Sequence, residues 1–193
     1  MMTNLAWPTQ KYDIIYIDPP WPYSGDPLKN AAAGKHYNLM PMDEIKKLPI
    51  RSILNKPGAV FCWATAPRMH FAIQAIEAWG LKYRGVAHVW VKTRKKDNGI
   101  IHGQGIRATY SKPTTEYLLL ATTSKQGRPF KLLDEKLPQV VLTPRVSGKK
   151  SHSSKPPVFR QLIEQAYGKR SRIEIFARGK VPGWDVWGDQ AEV

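Results

Sequence analysis

Tyr12-Asp13-Ile14-Ile15-Tyr16-Ile17 is a run of β-branched and aromatic residues that stops at Asp18-Pro19-Pro20-Trp21, and no other stretch constrains the chain as tightly. The run predicts a strand buried in a sheet. Proline fixes φ and offers no N–H to a ladder, so two prolines in succession end the strand where they stand. Asp18 is thereby placed at the strand's C-terminal end. In open α/β sheets that end borders the crevice where ligands bind, so one short segment predicts both a fold and a site.

The rest of the chain alternates. Ser24 to about Asn38 reads as a loop, and Met42 to Leu48 as a short helix with acids in its first turn and lysines in its last. Ala59 to Thr65 is a second apolar strand. Pro67 opens a helix through Trp79, and Gly80 supplies its stop. Tyr83 to Thr93 and Glu116 to Thr122 read as further strands, the second a nearly continuous apolar run of the kind covered on both faces. Leu137 to Thr143 adds another. Pro156 to Tyr167 is a helix with Val158, Leu162, Ile163 and Ala166 on one face and Ser153 or Ser154 as its cap. Arg172 to Arg178 alternates like a strand, and Gly179 to Gln190 reads as a closing loop whose Trp184 and Trp187 could stack bases, although tryptophans between Gly and Pro more often plug a domain edge. Strands alternating with helices predict an α/β domain around a largely parallel sheet.

With 193 residues, 42% of them hydrophobic, the chain has enough apolar surface for one domain over 1–193 and little for a second. Thirty Lys and Arg against fifteen Asp and Glu give a net charge of +15, far beyond what solubility needs, which points to a polyanionic partner. The only cysteine, Cys62, sits inside Ala59-Val60-Phe61-Cys62-Trp63 and reads as a small buried hydrophobe, so no disulfide framework is expected. His36, His70, His88, His102 and His152 show no ligand spacing, and no metal is expected. Met1 to Gln10 lacks a secretory pattern and no stretch is long enough to span a bilayer; the expectation is a protein with no membrane partner, in the cytoplasm of a bacterial or phage-infected cell.

Asp18-Pro19-Pro20-Trp21 supplies a carboxylate acceptor, a rigid turn that aims backbone carbonyls, and an aromatic face. These suit an adenine. Its exocyclic amine is a poor nucleophile because the lone pair is delocalised into the ring, and Asp18 with the Pro19 carbonyl would each accept one N–H and redirect that pair. Trp21 is expected to hold the base by stacking. A duplex would first have to release the base from its stack.

Around these residues the chain resembles the family of adenine-N6 methyltransferases that includes the catalytic subunit of the eukaryotic messenger-RNA adenosine methyltransferase and shorter bacterial and phage relatives. The likeness is carried by Ile17 to Trp21, His36-Tyr37 with Met42 to Ile45, Val60 to Trp63, Ala78-Trp79-Gly80, Trp90 to Thr93, Lys112 with Glu116, His152 to Pro156, Ile173 to Arg178 and Trp187 to Gln190. It implies a Rossmann-like fold dependent on S-adenosylmethionine, with a permuted order in which the catalytic strand comes first and the cofactor strand last. It also implies catalytic roles for Asp18, Pro19, Pro20 and Trp21, and a cofactor site made of Asp18, Lys155, Glu174, Arg178, Asp189 and Gln190. The residues agree in kind: a strand-end acid suits a ribose diol and a cation suits the cofactor's carboxylate. Two departures are noted: with seventeen residues before Asp18 the upstream Asp-Ile contact of larger members is not expected here, and Phe176-Ala177-Arg178-Gly179 lacks a Gly-x-Gly signature.

For the nucleic acid, one basic loop carries Lys92, Arg94, Lys95, Lys96, Arg107 and Lys112, and a second carries Arg145, Lys149 and Lys150 beside Lys155. Tyr37 and Glu116, from matched segments, join that surface. The expected activity is methyl transfer to the N6 amine of adenine in DNA, with RNA as an alternative substrate. A non-catalytic nucleic-acid-binding subunit and a cytosine-amine methyltransferase are the remaining readings. A homodimer or a partner subunit is compatible with all of them.

Overall fold

The computed structural model describes residues 6–22, 39–101, 110–125, 127–146, 154–189 and 191. Strand β1 is Tyr12–Ile17, bounded as the prolines dictate. Helix α1, Met42–Lys47, carries Asp43 and Glu44 in its first turn and Lys46 and Lys47 in its last, matching charge to the helix dipole. Strand β2 is Leu54–Thr65, longer at its start than expected. Pro67 opens a 3₁₀ turn, Ala66–Arg68, before helix α2, Met69–Ala78. Gly80, at φ 70°, closes that helix, with its N–H on the Glu77 carbonyl and the Leu81 N–H on that of Ile76.

Strands β3, Lys82–Thr93, β4, Thr115–Thr122, and β5, Val140–Pro144, follow. Helix α3 is Val158–Tyr167. Its cap is Pro157, without a side-chain cap bond, so the expected serine cap is corrected: the proline pair itself sets the helical φ that starts the turn. Strand β6, Arg172–Ile175, is shorter than expected because Phe176 turns left-handed at φ 64°. Strand β7, Asp185–Trp187, lies within what reads as a closing loop.

The seven strands run in the order β5-β3-β4-β2-β1-β6-β7. Neighbours are parallel in β1·β2, β1·β6, β3·β5 and β6·β7, while β4 is antiparallel to both β2 and β3. The sheet is thus largely parallel with one reversed strand inside it. The apolar run of β4 does mark a strand with both faces covered, but burial carries no information about direction. The first strand lies in register beside the sixth, with Ile17 opposite Ile175, which is the permuted Rossmann-like arrangement.

Alternation along the strands divides the core in two. Ile15, Ile17, Val60, Cys62, Leu119, Ile173 and Ile175 face α1 and α2. Ile14, Tyr16, Phe61, Trp63, Trp90 and Leu118 face α3. Cys62 is fully buried and its thiol is pushed up by desolvation, as a small hydrophobe's would be. No helix among the described residues is long and apolar enough to cross a membrane.

Candidate active site

Asp18 leaves β1 at the carboxyl edge with its side chain 23% exposed. Its Oδ2 accepts the Lys155 ammonium at 2.6 Å. That Nζ also lies 3.2 Å from Glu116 Oε2, and Glu116 Oε1 accepts the Lys92 ammonium at 2.6 Å. Lys92, Glu116, Lys155 and Asp18 therefore form a row of alternating charge drawn from β3, β4, the segment before α3, and β1.

Sheet register explains why these residues meet. Glu116 sits opposite Thr65 of β2 and Trp90 of β3, so Lys92, two positions beyond Trp90, points to the same face. Because β4 runs backwards, its first residues arrive at the edge where its neighbours deliver their last. Below the row is an aromatic floor: the Lys155 ammonium is 5.4 Å from the Trp63 ring centroid and that of Lys92 is 5.0 Å from Trp90. Trp63, Trp90 and Phe159 pack edge to face beneath, with the Trp63 and Phe159 centroids 4.8 Å apart.

Burial holds the Asp18 carboxyl above the usual aspartate range, opposed by Lys155 and Arg178 and assisted by Glu116. Burial also works against the charged forms of Glu116 and Lys155. The flanking lysines outweigh it and leave Glu116 lower than an ordinary glutamate, while Asp18 and Glu116 hold the Lys155 ammonium firmly protonated. Each charge in the row depends on its neighbours, since a buried ion without a partner is costly.

A second pair stands beside the first. Glu174, opposite Tyr16 on β6, accepts Arg160 Nη1 of α3 at 3.0 Å, with both side chains largely buried. Burial raises the Glu174 carboxyl, against the pull of Arg160. The Tyr16 hydroxyl and the Trp63 indole N–H are both buried in this wall, and the indole bears on the hydroxyl. The left-handed turn at Phe176 then brings Arg178 within electrostatic reach of Asp18. Gly188 allows that turn, because a Cβ there would lie 2.7 Å from the Ala177 carbonyl oxygen.

The stacking face expected of Trp21 is corrected. Its indole is only 4% exposed, packed on the α1 and α2 side with Met40 and Ile45, and its Nε1 donates to the Trp63 carbonyl at 3.0 Å. The ring is apolar enough to fill the core and has one donor that reaches a partner, so it anchors the turn instead of a base. The turn is further fixed by the Trp21 N–H on the Pro19 carbonyl at 2.8 Å and the Met40 N–H on that of Pro20 at 3.0 Å.

Glu116 is corrected too: it is buried among lysines rather than turned toward a polyanion, and Lys92 is matched to it. Arg94 pairs with Asp97 at 2.9 Å, while Lys95, Lys96, Lys112 and Arg145 are exposed. Asp189 is exposed on the turn after β7. Tyr37, Arg107, Lys149, Lys150 and Gln190 lie outside the described residues. Trp184 and Trp187 are buried plugs, donating to Glu164 Oε1 and the Ala6 carbonyl. Sequence reading missed Trp63 as the floor and Arg160 as the partner of Glu174; the apolar face of α3 would have placed Arg160 one position after Phe159, at the edge of the contact.

The MT-A70 family matches residues 12–190, from the first strand to the last turn. The chain is similar to the type II methyltransferase M.MunI of a Mycoplasma species, 29% identical over 198 residues that cover 94% of this chain and 78% of that protein. It is 30% identical to the N6-methyladenosine RNA methyltransferase MTA1 of Pyricularia oryzae, over 97% of this chain and 49% of the relative. It is 24% identical to the N(6)-adenine-specific methyltransferase METTL4 of Homo sapiens, over 93% of this chain and 37% of the relative. The chain therefore spans about half or less of the two eukaryotic proteins and most of M.MunI. A match that takes in β1, the row of charges and the turn after β7 covers the whole carboxyl edge, and by it the chain belongs to the MT-A70 family.

Proposed function

We propose that this chain transfers a methyl group from S-adenosylmethionine to the N6 amine of adenine in DNA. The observation that carries the reading is the Asp18 carboxylate, bound by Lys155 through Oδ2 at the open end of β1, with nothing among the described residues bonded to Oδ1. That oxygen accepts one amine N–H. The Pro19 carbonyl, which already takes the Trp21 N–H, has a second lone pair for the other. Two acceptors on one amine draw its lone pair out of conjugation and aim it, the positioning and electrostatic contributions on which such a reaction depends.

The residues present fit the cofactor. A cationic ligand bearing a carboxylate and a ribose would meet two acids, Asp18 and Glu174, and the guanidinium of Arg178. Asp189 and Gln190 remain assigned to it, whereas Lys155 is already held between two carboxylates and is placed with Asp18. When bound, S-adenosylmethionine supplies a methyl group on a positively charged sulfur. The amine nitrogen exchanges one proton for that methyl group, and Asp18, whose proton affinity is raised by burial, is suited to take the proton and pass it to water on its open side.

The +15 charge suits either polymer, and DNA is favoured by the 78% of a type II methyltransferase that the match covers. The RNA reading has one specific support, the 30% identity to MTA1. Exposed Lys95, Lys96 and Lys112 give sequence-independent grip, so a relaxed or very short recognition sequence is expected. Purified protein given labelled S-adenosylmethionine and matched duplex DNA, single-stranded DNA and single-stranded RNA should yield N6-methyldeoxyadenosine by mass spectrometry. Label in RNA alone would move the activity to RNA, and label in cytosine would overturn the amine assignment. No label in any polymer would leave a non-catalytic binding subunit.

A further inference from the structure

Glu116 looks redundant beside a catalytic aspartate. It is buried, it is the second residue of the reversed strand, and both of its oxygens are taken by lysines: Oε1 by Lys92 at 2.6 Å and Oε2 by Lys155 at 3.2 Å. Lys155 in turn has two carboxylates to choose from and divides itself between them, 2.6 Å from Asp18 and 3.2 Å from Glu116. Without a second anion, a lone ammonium would settle astride both oxygens of Asp18 and close the acceptor.

We propose that Glu116 is a positioning residue for methyl transfer: braced by Lys92, it holds the Lys155 ammonium to one side of Asp18, so that Oδ2 is engaged and Oδ1 stays open to the amine. The inference rests on the function proposed above and deepens it. The groups that bear on Asp18 are Lys155 from the segment before α3, Glu116 from β4, Arg178 after β6, the neighbouring acid Glu174 on β6, and two groups that burial keeps neutral, Tyr16 on β1 and Cys62 on β2. Lys92 from β3 bears on Glu116. Glu116 raises the proton affinity of Asp18 and Lys155 lowers it, so the two flanking changes work in opposite senses. Glu116→Gln removes an anion and makes Asp18 more acidic. Lys92→Met removes a cation, leaves Glu116 to pull harder on Lys155, and makes Asp18 less acidic.

Two readouts test this on the full chain. The pH profile of kcat should show its acid limb moved to lower pH in Glu116→Gln and to higher pH in Lys92→Met, with kcat in Glu116→Gln reduced about 10²-fold at the plateau. Glu116→Asp should restore most of that loss. Carbon-13 NMR titration of the Asp18 carboxyl, assigned against Asp18→Asn, reads the same opposed shifts in protein that turns nothing over, and confirms that each variant is folded. Opposed shifts in that titration with wild-type protein unable to methylate any polymer would sustain the row of charges and sink the function. A wild-type enzyme that methylates while both variants keep its midpoint and rate would sink the role of Glu116 and leave the function standing.

Discussion

Asp18 and Glu174 stand on adjacent strands, each raised by burial and each beside a cation, yet their surroundings differ in kind. Arg160 reaches Glu174 from a packed helix and forms a closed pair that completes a wall. Lys155 reaches Asp18 Oδ2 from a segment between elements and is shared with Glu116, and no described residue is bonded to the other Asp18 oxygen. A closed pair fixes geometry, while a shared one leaves room for a ligand. On the function proposed above, the acid that begins the proline turn is the one that acts on the amine.

The largest effect should separate the two acids directly. Asp18→Asn is expected to lower kcat by about 10³-fold, comparable to losing a principal electrostatic contact to the transition state, while affinity for the methyl donor, which Asp18 also faces, falls by no more than about tenfold. Because the Asp18 carboxyl is raised and protonation removes the acceptor, the rate of the unaltered protein should fall with falling pH through a midpoint above the ordinary aspartate value of about 3.9. A profile flat to that value would remove the distinction.

Next in size, Arg160→Met should cost about 2–3 kcal/mol by orphaning Glu174. Glu174 then binds its proton more tightly in the folded than in the unfolded chain, so the loss should grow as pH rises and shrink in acid. Thermal melts of that variant at two pH values check the sign, and equal melting temperatures would show that the wall does not need its pair.

Trp21→Phe keeps the packing and loses the bond to the Trp63 carbonyl, for about 1 kcal/mol of stability and a near-normal kcat. A rate loss of more than about tenfold without loss of stability would return Trp21 to direct contact with the base. The smallest change is Lys95→Gln with Lys96→Gln, which should lower the salt slope of DNA affinity by about one unit per lysine. An unchanged slope would place the phosphates elsewhere.

Much of this was legible in sequence where the signal is local. Both ends of β1 follow from prolines and β-branched residues, the charges of α1 from its dipole, and the end of α2 from Gly80. What escaped depends on partners far along the chain. The direction of β4 is set by pairing with β2 and β3, the strand β7 exists only because β6 offers it an edge, and Trp21 is buried because Trp63 presents a carbonyl 42 residues away. The charges of Lys92, Glu116 and Lys155 were visible as residues near the site, but their row emerges only from register. A lysine counted for phosphate and a glutamate counted for the same surface turned out to neutralise each other.

The reversal of β4 has one more outcome. Lys92 is the last but one residue of β3 and Glu116 the second of β4, so the segment that joins these strands is flanked by an ion pair 2.6 Å long. It is a handle whose rivets are part of the lock. Anyone exchanging the segment for a relative's version must carry both rivets across together, since a graft that keeps only one leaves a buried charge without its partner and disturbs the Lys155 and Asp18 pair beside it.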